Sequence, residues 1–205
     1  MENSDDSRKT PGFDLWVLAS DPVFYVVTII FVLGVIIFAL SGETETSGFS
    51  FDGRHLVIED EALAGLVPGP GTESEYAPTE HAARITANAT FDRAGTLSAG
   101  VGLLLPRSFE EDVIGRSVEV TIEMRALQDD HDQAYMSYFT TDAADSPRHV
   151  AQLDTDWQTF SFVFVVPPHV VANDQEWIGI WPDLDGLERP VLVRRIEARI
   201  LDTDE

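Results

Sequence analysis

Trp177 and Trp181 stand four residues apart in the stretch QEWIGIWPDLDG at 175–186, with Gly179 midway between them. Successive strand side chains point to opposite faces, so Trp177, Gly179 and Trp181 share one side and Ile178 and Ile180 the other. An exposed indole offers a flat apolar face and a polar tip, a surface on which the C–H face of a sugar ring can stack. Gly179 would leave a shallow gap for that ring, and Asp183 and Asp185 would lie near enough to take its hydroxyls. Trp157 has the same tendency, because the phenylalanines of its own strand claim the core. The competing use of these rings is packing, since tryptophans at strand ends often cover a sheet edge. The β-branched isoleucines match a sandwich core, so they are expected to face inward and the tryptophans outward. Of the two, Trp177 is expected to be the more exposed, because it opens the strand after the polar NDQE loop.

Other chemistry is thinly represented. Asp183 and Asp185, two apart before Gly186, look like a fragment of a calcium loop that lacks most of its ligands, and equally like an Asp-Gly turn. His55, His81, His131, His149 and His169 have no metal-ligand spacing. There is no G-x-S-x-G, H-E-x-x-H or phosphate-binding glycine loop. Glu119 and Glu123, on one strand face, would be ~13 Å apart by strand rise. That exceeds the ~5 to 9.5 Å at which paired carboxylates cleave a glycosidic bond. The expectation is a protein that binds and does not catalyse.

The elements that would carry these residues are read from alternation. VEVTIEMRA at 118–126 puts Val118, Val120, Ile122 and Met124 on one face, with Glu119, Thr121, Glu123 and Arg125 on the other. WQTFSFVFVV at 157–166 turns Phe160, Phe162, Phe164 and Val166 away from Trp157, Thr159 and Ser161. VLVRRIEARIL should bury Leu192, Ile196, Ala198 and Ile200. Further strands are expected near 55–59, 84–91, 100–105, 134–141 and 148–153, with a connecting turn at 110–115. Eight or nine such strands predict an all-β fold, an antiparallel jelly-roll β-sandwich over 55–205. With 36 acidic against 13 basic residues the net charge is −23, which argues against nucleic acid as a partner. The absence of cysteine excludes disulfides and thiolate sites.

Four runs in order, GRSVEVTIEMRA, AYMSYFTTD, DTDWQTFSFVFVVP and EWIGIWPDLDGLERPVLVRRIEARIL, are similar to galactose-binding-domain-like jelly rolls, the fold of many carbohydrate-binding modules. The resemblance covers about residues 52–201. It implies the fold and, through it, a binding role, but transfers no sugar-contact residue, because those sit on variable loops. It also implies that the first and last strands lie together. Related modules hold a structural calcium there, for which Glu59, Asp60 and Asp202 are the candidates.

The N-terminus has a different character. VFYVVTIIFVLGVIIFAL at 23–40 is eighteen residues without a charge. At ~1.5 Å per residue it covers ~27 Å, close to the hydrocarbon thickness of a bilayer. Trp16 suits headgroup depth. The expected organisation is a cytoplasmic tail at 1–14, a transmembrane helix at 15–41 contacting the lipid bilayer, a polar tether at 42–54 and the sandwich at 55–205. A cleaved signal peptide ending near ALS at 39–41 is the alternative, opposed by the acidic leader and the length of the apolar run. Arg8 and Lys9 on the short flank place the N-terminus in the cytoplasm and the sandwich in the periplasm or outside the cell. LWVLASDPVFYVVTIIFVLGVIIFAL also resembles bacterial light-harvesting antenna polypeptides, but it lacks their ligating histidine and implies no pigment site. Two classes of function follow: a module that recognises an envelope glycan, or an accessory subunit docked on a larger membrane protein complex, of which a light-harvesting-type assembly would be one example.

Overall fold

The computed structural model describes residues 47–95, 98–141, 143–168 and 175–201. The expected tail and transmembrane helix, and Asp202 and His169, lie outside these residues. Among the described residues no helix is long and apolar enough to cross a membrane.

The strands are β1 Phe49–Phe51, β2 His55–Glu59, β3 Val67–Pro68, β4 Thr72–Ala77, β5 Ala82–Ala87 and β6 Val101–Leu104, then β7 Ser117–Ala126, β8 Gln133–Phe139, β9 His149–Gln152, β10 Gln158–Val165, β11 Trp177–Trp181 and β12 Val191–Ile200. They form two antiparallel sheets. In the seven-stranded sheet β12 is central: β7 runs along one side of it and carries β10, while β2 and β5 share the other side and carry β1 and β4. The five-stranded sheet has the order β3-β6-β11-β8-β9.

Alternation works as expected in the longest strands. Val118, Val120, Ile122 and Met124 of β7 are fully buried, and the intervening residues are half-buried on the other face. β-branched and long apolar side chains fit a pleated, one-sided surface, and burying each fully contributes about 1.5–3 kcal/mol. Across the core they meet Ile178 and Ile180 of β11, both with no exposure. The isoleucines face in, as their β-branched character requires.

Four expectations need correction. Leu192 does not share a face with Ile196, Ala198 and Ile200. A β-bulge between Val193 and Arg195 inserts one residue, so Val191 and Val193 fill the core before it and the even-numbered residues after it. Leu192 is buried on the opposite face, across from Arg84 and Arg125. The expected connecting turn at 110–115 instead overlaps a short helix, α1 Arg107–Val113, which starts after Pro106 and packs Phe109 and Val113, one turn apart, into the core. The segment expected as tether contains β1, which pairs with β2 in the register Phe49 to Ile58. The strand expected at 84–91 is β5 at Ala82–Ala87, and β3 and β4, which the alternation did not reveal, are peripheral strands with mostly polar or proline-containing sequences.

Candidate functional site

β11 presents Trp177, Gly179 and Trp181 on the outer face of the five-stranded sheet. Neighbouring strands add side chains to that face in register. Trp177 pairs with Phe139 and Leu104, Gly179 with Ser137 and Gly102, and Trp181 with Tyr135. An aromatic row of two cross-strand pairs, Trp177–Phe139 and Trp181–Tyr135, therefore runs along β8 and β11.

Most of the row is covered by the chain itself. Phe91, in the single π-type turn Phe91–Gly95, packs edge-on against Tyr135 at 4.7 Å and Trp181 at 5.7 Å between centroids. The Arg148 guanidinium lies over Phe139 at 4.5 Å and Phe91 at 5.5 Å, and donates to the Gly95 and Ser98 carbonyls. The backbone at Ala99 crosses directly above Gly179: a Cβ there would stand 2.3 Å from the Ala99 oxygen and 2.7 Å from Phe139 Cε2. The shallow gap expected between the tryptophans is thus filled from within. Trp181 is fully buried, with its Nε1–H donated to the Asp183 carbonyl at 3.0 Å.

Trp177 remains open. Its residue is 38% exposed, and it separates two shallow apolar depressions. One, about 460 Å³, is lined by Val67, Leu104, Thr140, Thr141 and Gln175. The other, about 240 Å³, lies toward Pro68, Pro70 and Ala99. No charged side chain lines either. Thr140 Oγ1 is buried with no hydrogen-bond partner among the described residues, and Thr141 Oγ1 donates to the Gln175 carbonyl at 3.3 Å.

The other candidates are not brought to this place. Trp157 is half-buried on the outer face of the seven-stranded sheet, held between the guanidiniums of Arg125 at 5.1 Å and Arg194 at 4.5 Å. Asp183 is fully buried and its carboxylate accepts from the backbone N–H groups of Asp185, Leu187 and Arg189 and from the Arg189 guanidinium at 2.7 Å. Burial alone would raise its pKa, but the Arg189 side chain and these N–H donors outweigh it and hold the carboxyl below the usual range. Its oxygens organise an Asp-Gly turn, with Gly186 at φ +67°, and are turned to hydrogen donors rather than to a cation. Asp185 is exposed and pairs with Arg189 at 2.6 Å.

Two of the calcium candidates are likewise engaged within the protein. Glu59 pairs with the Arg195 guanidinium at 2.7 Å, and Asp60 Oδ1 lies in hydrogen-bond contact with the His81 ring at 2.9 Å. Among the described residues no group of three or more His, Asp or Glu is arranged to hold a metal. Glu119 pairs with Arg199 at 2.8 Å and Glu123 with Arg194, so both acids are tied into the charged ladder that the bulge of β12 supplies with arginines.

Behind Trp177 lies a group that alternation does not reveal. Glu110 of α1 and Glu176, the residue before Trp177, are both buried. Glu110 Oε1 accepts the Glu176 N–H at 2.8 Å, and Glu176 Oε2 accepts the Tyr138 hydroxyl at 2.6 Å. Burial pushes the Glu110 carboxyl above its ordinary range; the Glu176 N–H pulls part of this back, and the Glu176 charge raises it again. Tyr138 is pushed up by burial and by the same carboxylates. The motif SFEED reads as a polar helix face, and nothing in its spacing marks Glu110 as the member that turns inward.

No protein-family model matches the chain, and no curated protein matches it. Solved structures similar to it include carbohydrate-binding modules with a jelly-roll β-sandwich fold. The tandem CBM22-1-CBM22-2 domain from Paenibacillus barcinonensis Xyn10C is 11% identical with a TM-score of 0.48, over 69% of this chain; the chain spans 42% of that structure. The CBM22-1 xylan-binding domain of the same protein is 12% identical with a TM-score of 0.47, over 68% of this chain and 87% of its own. A module from Cellvibrio mixtus lichenase 5A, in complex with cellotriose, is 10% identical with a TM-score of 0.39, over 71% and 97%. Likeness at this level carries no conclusion about what this chain binds.

Proposed function

We propose that the chain is a non-catalytic binding module that takes a glycan of the cell envelope on the indole of Trp177, with its two sheets wound as a jelly roll. The observation that supports this is the open Trp177 between two uncharged apolar depressions. A sugar ring laid on the indole would bury its C–H face, and its hydroxyls would meet Thr141 and Gln175. Trp181, Trp157, Asp183 and Asp185 take no part in this reading, because each is already committed to contacts within the protein. Held by an anchor at 15–41 with its N-terminus in the cytoplasm, the module would face the periplasm or the cell exterior. The test is retention of the full-length protein on gels carrying envelope polysaccharides, compared with Trp177→Ala. The variant should lose retention and keep its melting temperature; equal retention of both proteins, or of neither, refutes the reading.

A further inference from the structure

Among the described strands, every sheet edge but one is blunted. β1 has three residues and β3 two, one of them Pro68. β9 has four, and β4 carries Glu73 and Glu75. Short length, proline and charge are the devices by which a sheet edge avoids pairing with another chain. β10 has none of them. It runs for eight residues in unbroken register with β7, and its other side is joined to no strand among the described residues. No charged residue occurs from Trp157 to Pro168, in a chain of net charge −23.

The backbone direction of β10 follows from the bonds at its end. The Val166 N–H donates to the Arg116 carbonyl at 2.9 Å and the Val166 carbonyl accepts the Gly115 N–H at 3.0 Å, so the backbone of Val166 faces the β7 side. On β7 the Ser117 carbonyl accepts the Leu201 N–H at 2.8 Å, which turns Ser117 toward the β12 side and Val118, opposite Phe164, toward β10. Bonding direction alternates along an antiparallel strand. Phe160, Phe162 and Phe164 therefore bond to β7, and Thr159, Ser161, Val163 and Val165 turn their N–H and C=O groups to the open edge. The same residues carry the exposed side chains, Val163 at 53% and Val165 at 62%. Behind them Phe160 and Phe164 are only half-buried at the rim of the core.

We propose that β10 pairs antiparallel with β10 of a second copy of this chain, joining two seven-stranded sheets into one. A two-fold axis at Phe162 sets Ser161 opposite the partner's Val163 and Thr159 opposite the partner's Val165. This antiparallel register alone engages every free donor and acceptor on both edges. On the inner face it sets Phe162 against the partner's Phe162 and Phe160 against the partner's Phe164, aromatic pairs that close the half-buried rim. A second copy fits on charge as well. The acids of β7 beside the edge, Glu119 and Glu123, are taken by Arg199 and Arg194, so two acidic chains can meet here along a neutral strip. An edge of ~26 Å by ~10 Å covers ~260 Å² per copy, below the ~800 Å² per partner of a standard stable interface. The dimer is therefore weak and governed by concentration.

The pairing does not depend on the saccharide reading. In sedimentation velocity of the full-length chain in mild detergent, the dimer share should rise about fivefold between ~10 µM and ~1 mM, as for a dissociation constant near ~0.1 mM. Ser161→Pro removes an N–H that has no partner and sets its ring where the second strand would lie, a position at which an edge strand tolerates proline. It should stay monomeric over the whole span and melt within a few degrees of the wild type. A wild type that stays monomeric, its edge covered otherwise or left open, overturns the proposal, and so does equal dimerisation of a folded Ser161→Pro. Cross-linking reads the register without proline. The chain has no cysteine, so a disulfide can form only between introduced ones. Ser161→Cys mixed with Val163→Cys would bring the two Cα atoms about 5.5 Å apart, inside the ~4.4–6.8 Å range of a disulfide. Either variant alone meets its own copy on the ~7–8 Å diagonal. The mixed disulfide should exceed both homodisulfides severalfold; equal yields, or an equal yield when Ser161→Cys is mixed with Glu75→Cys on β4, overturn the register and the proposal with it.

Discussion

Gly179 and Gly102 face each other across β11 and β6, and the effect of adding one methyl to each should differ in sign. At Gly102 a Cβ meets nothing nearer than 3.8 Å, where it touches Trp177 and the Val67 carbonyl at ordinary contact distance. Gly→Ala there should be neutral or stabilise by about 0.5–1 kcal/mol, because a strand glycine loses more chain entropy on folding than alanine does. At Gly179 the added carbon would stand 2.3 Å from the Ala99 oxygen and 2.7 Å from Phe139 Cε2. The carbonyl belongs to the backbone and the ring is held under Arg148, so neither yields without moving the segment that covers Trp181. Overpacking of this kind costs about 1–3 kcal/mol, and with the entropy gain subtracted Gly179→Ala should still be destabilising. For a domain of this size each kcal/mol shifts the melting temperature by about 2–4 °C. Thermal unfolding of both variants beside the wild type checks it. Gly179→Ala melting level with Gly102→Ala would show that the backbone at 98–100 does not sit on the sheet, and that the face between the tryptophans is open after all.

Trp181→Ala removes a fully buried ring and should cost about 3–5 kcal/mol in urea unfolding, whereas Trp177→Ala should change stability by less than about 1 kcal/mol. Asp183→Ala leaves Arg189 without its buried partner and three N–H groups without an acceptor, and should cost about 3–5 kcal/mol. Because the Asp183 pKa is lowered on folding, its stabilisation is present above the ordinary aspartate range and is lost as pH falls through the folded value, so Asp183→Asn should flatten the acid limb of a stability profile. Trp157→Leu should cost about 0.5–2 kcal/mol through the two guanidinium contacts and leave polysaccharide retention unchanged, which a melt paired with the affinity gel measures.

The parts of the fold that the sequence displays are those where one face is dry and the other wet. β7, β10 and the second half of β12 alternate because every second side chain leaves water, and their period-two pattern is the direct image of that burial. β4 gives no such image. TESEYA sits at the periphery of the sheet, where little apolar surface is needed on either face, so its strand character lies in backbone pairing with β5 alone. The bulge in β12 is also silent in the sequence. Arg194 and Arg195 look like two residues on opposite faces, and only the partners Glu123 and Glu59 on adjacent strands reveal that both point outward.

The site divides along the same line. That the isoleucines and tryptophans of β11 face opposite ways follows from alternation, and that the isoleucines face in follows from their shape. Which indole meets solvent does not follow from the strand, because the answer is supplied by Phe91, Ala99 and Arg148, whose contacts with the outer face are made by turns and side-chain stacking with no sequence period. Glu110 is harder still: it lies 66 residues from Glu176, on a seven-residue helix too short to show a period, among acids that do face water. Its inward turn follows from the anchoring of α1 by Phe109 and Val113, since with those two in the core the residue after Phe109 is carried toward the sandwich whatever its polarity. A carboxyl placed there by packing must find a partner or keep its proton. The start of β11, one peptide ahead of the open indole, is where it finds one, the Glu176 N–H, and so the residue that the sequence hides best supports the backbone beside the residue that the sequence marks most clearly.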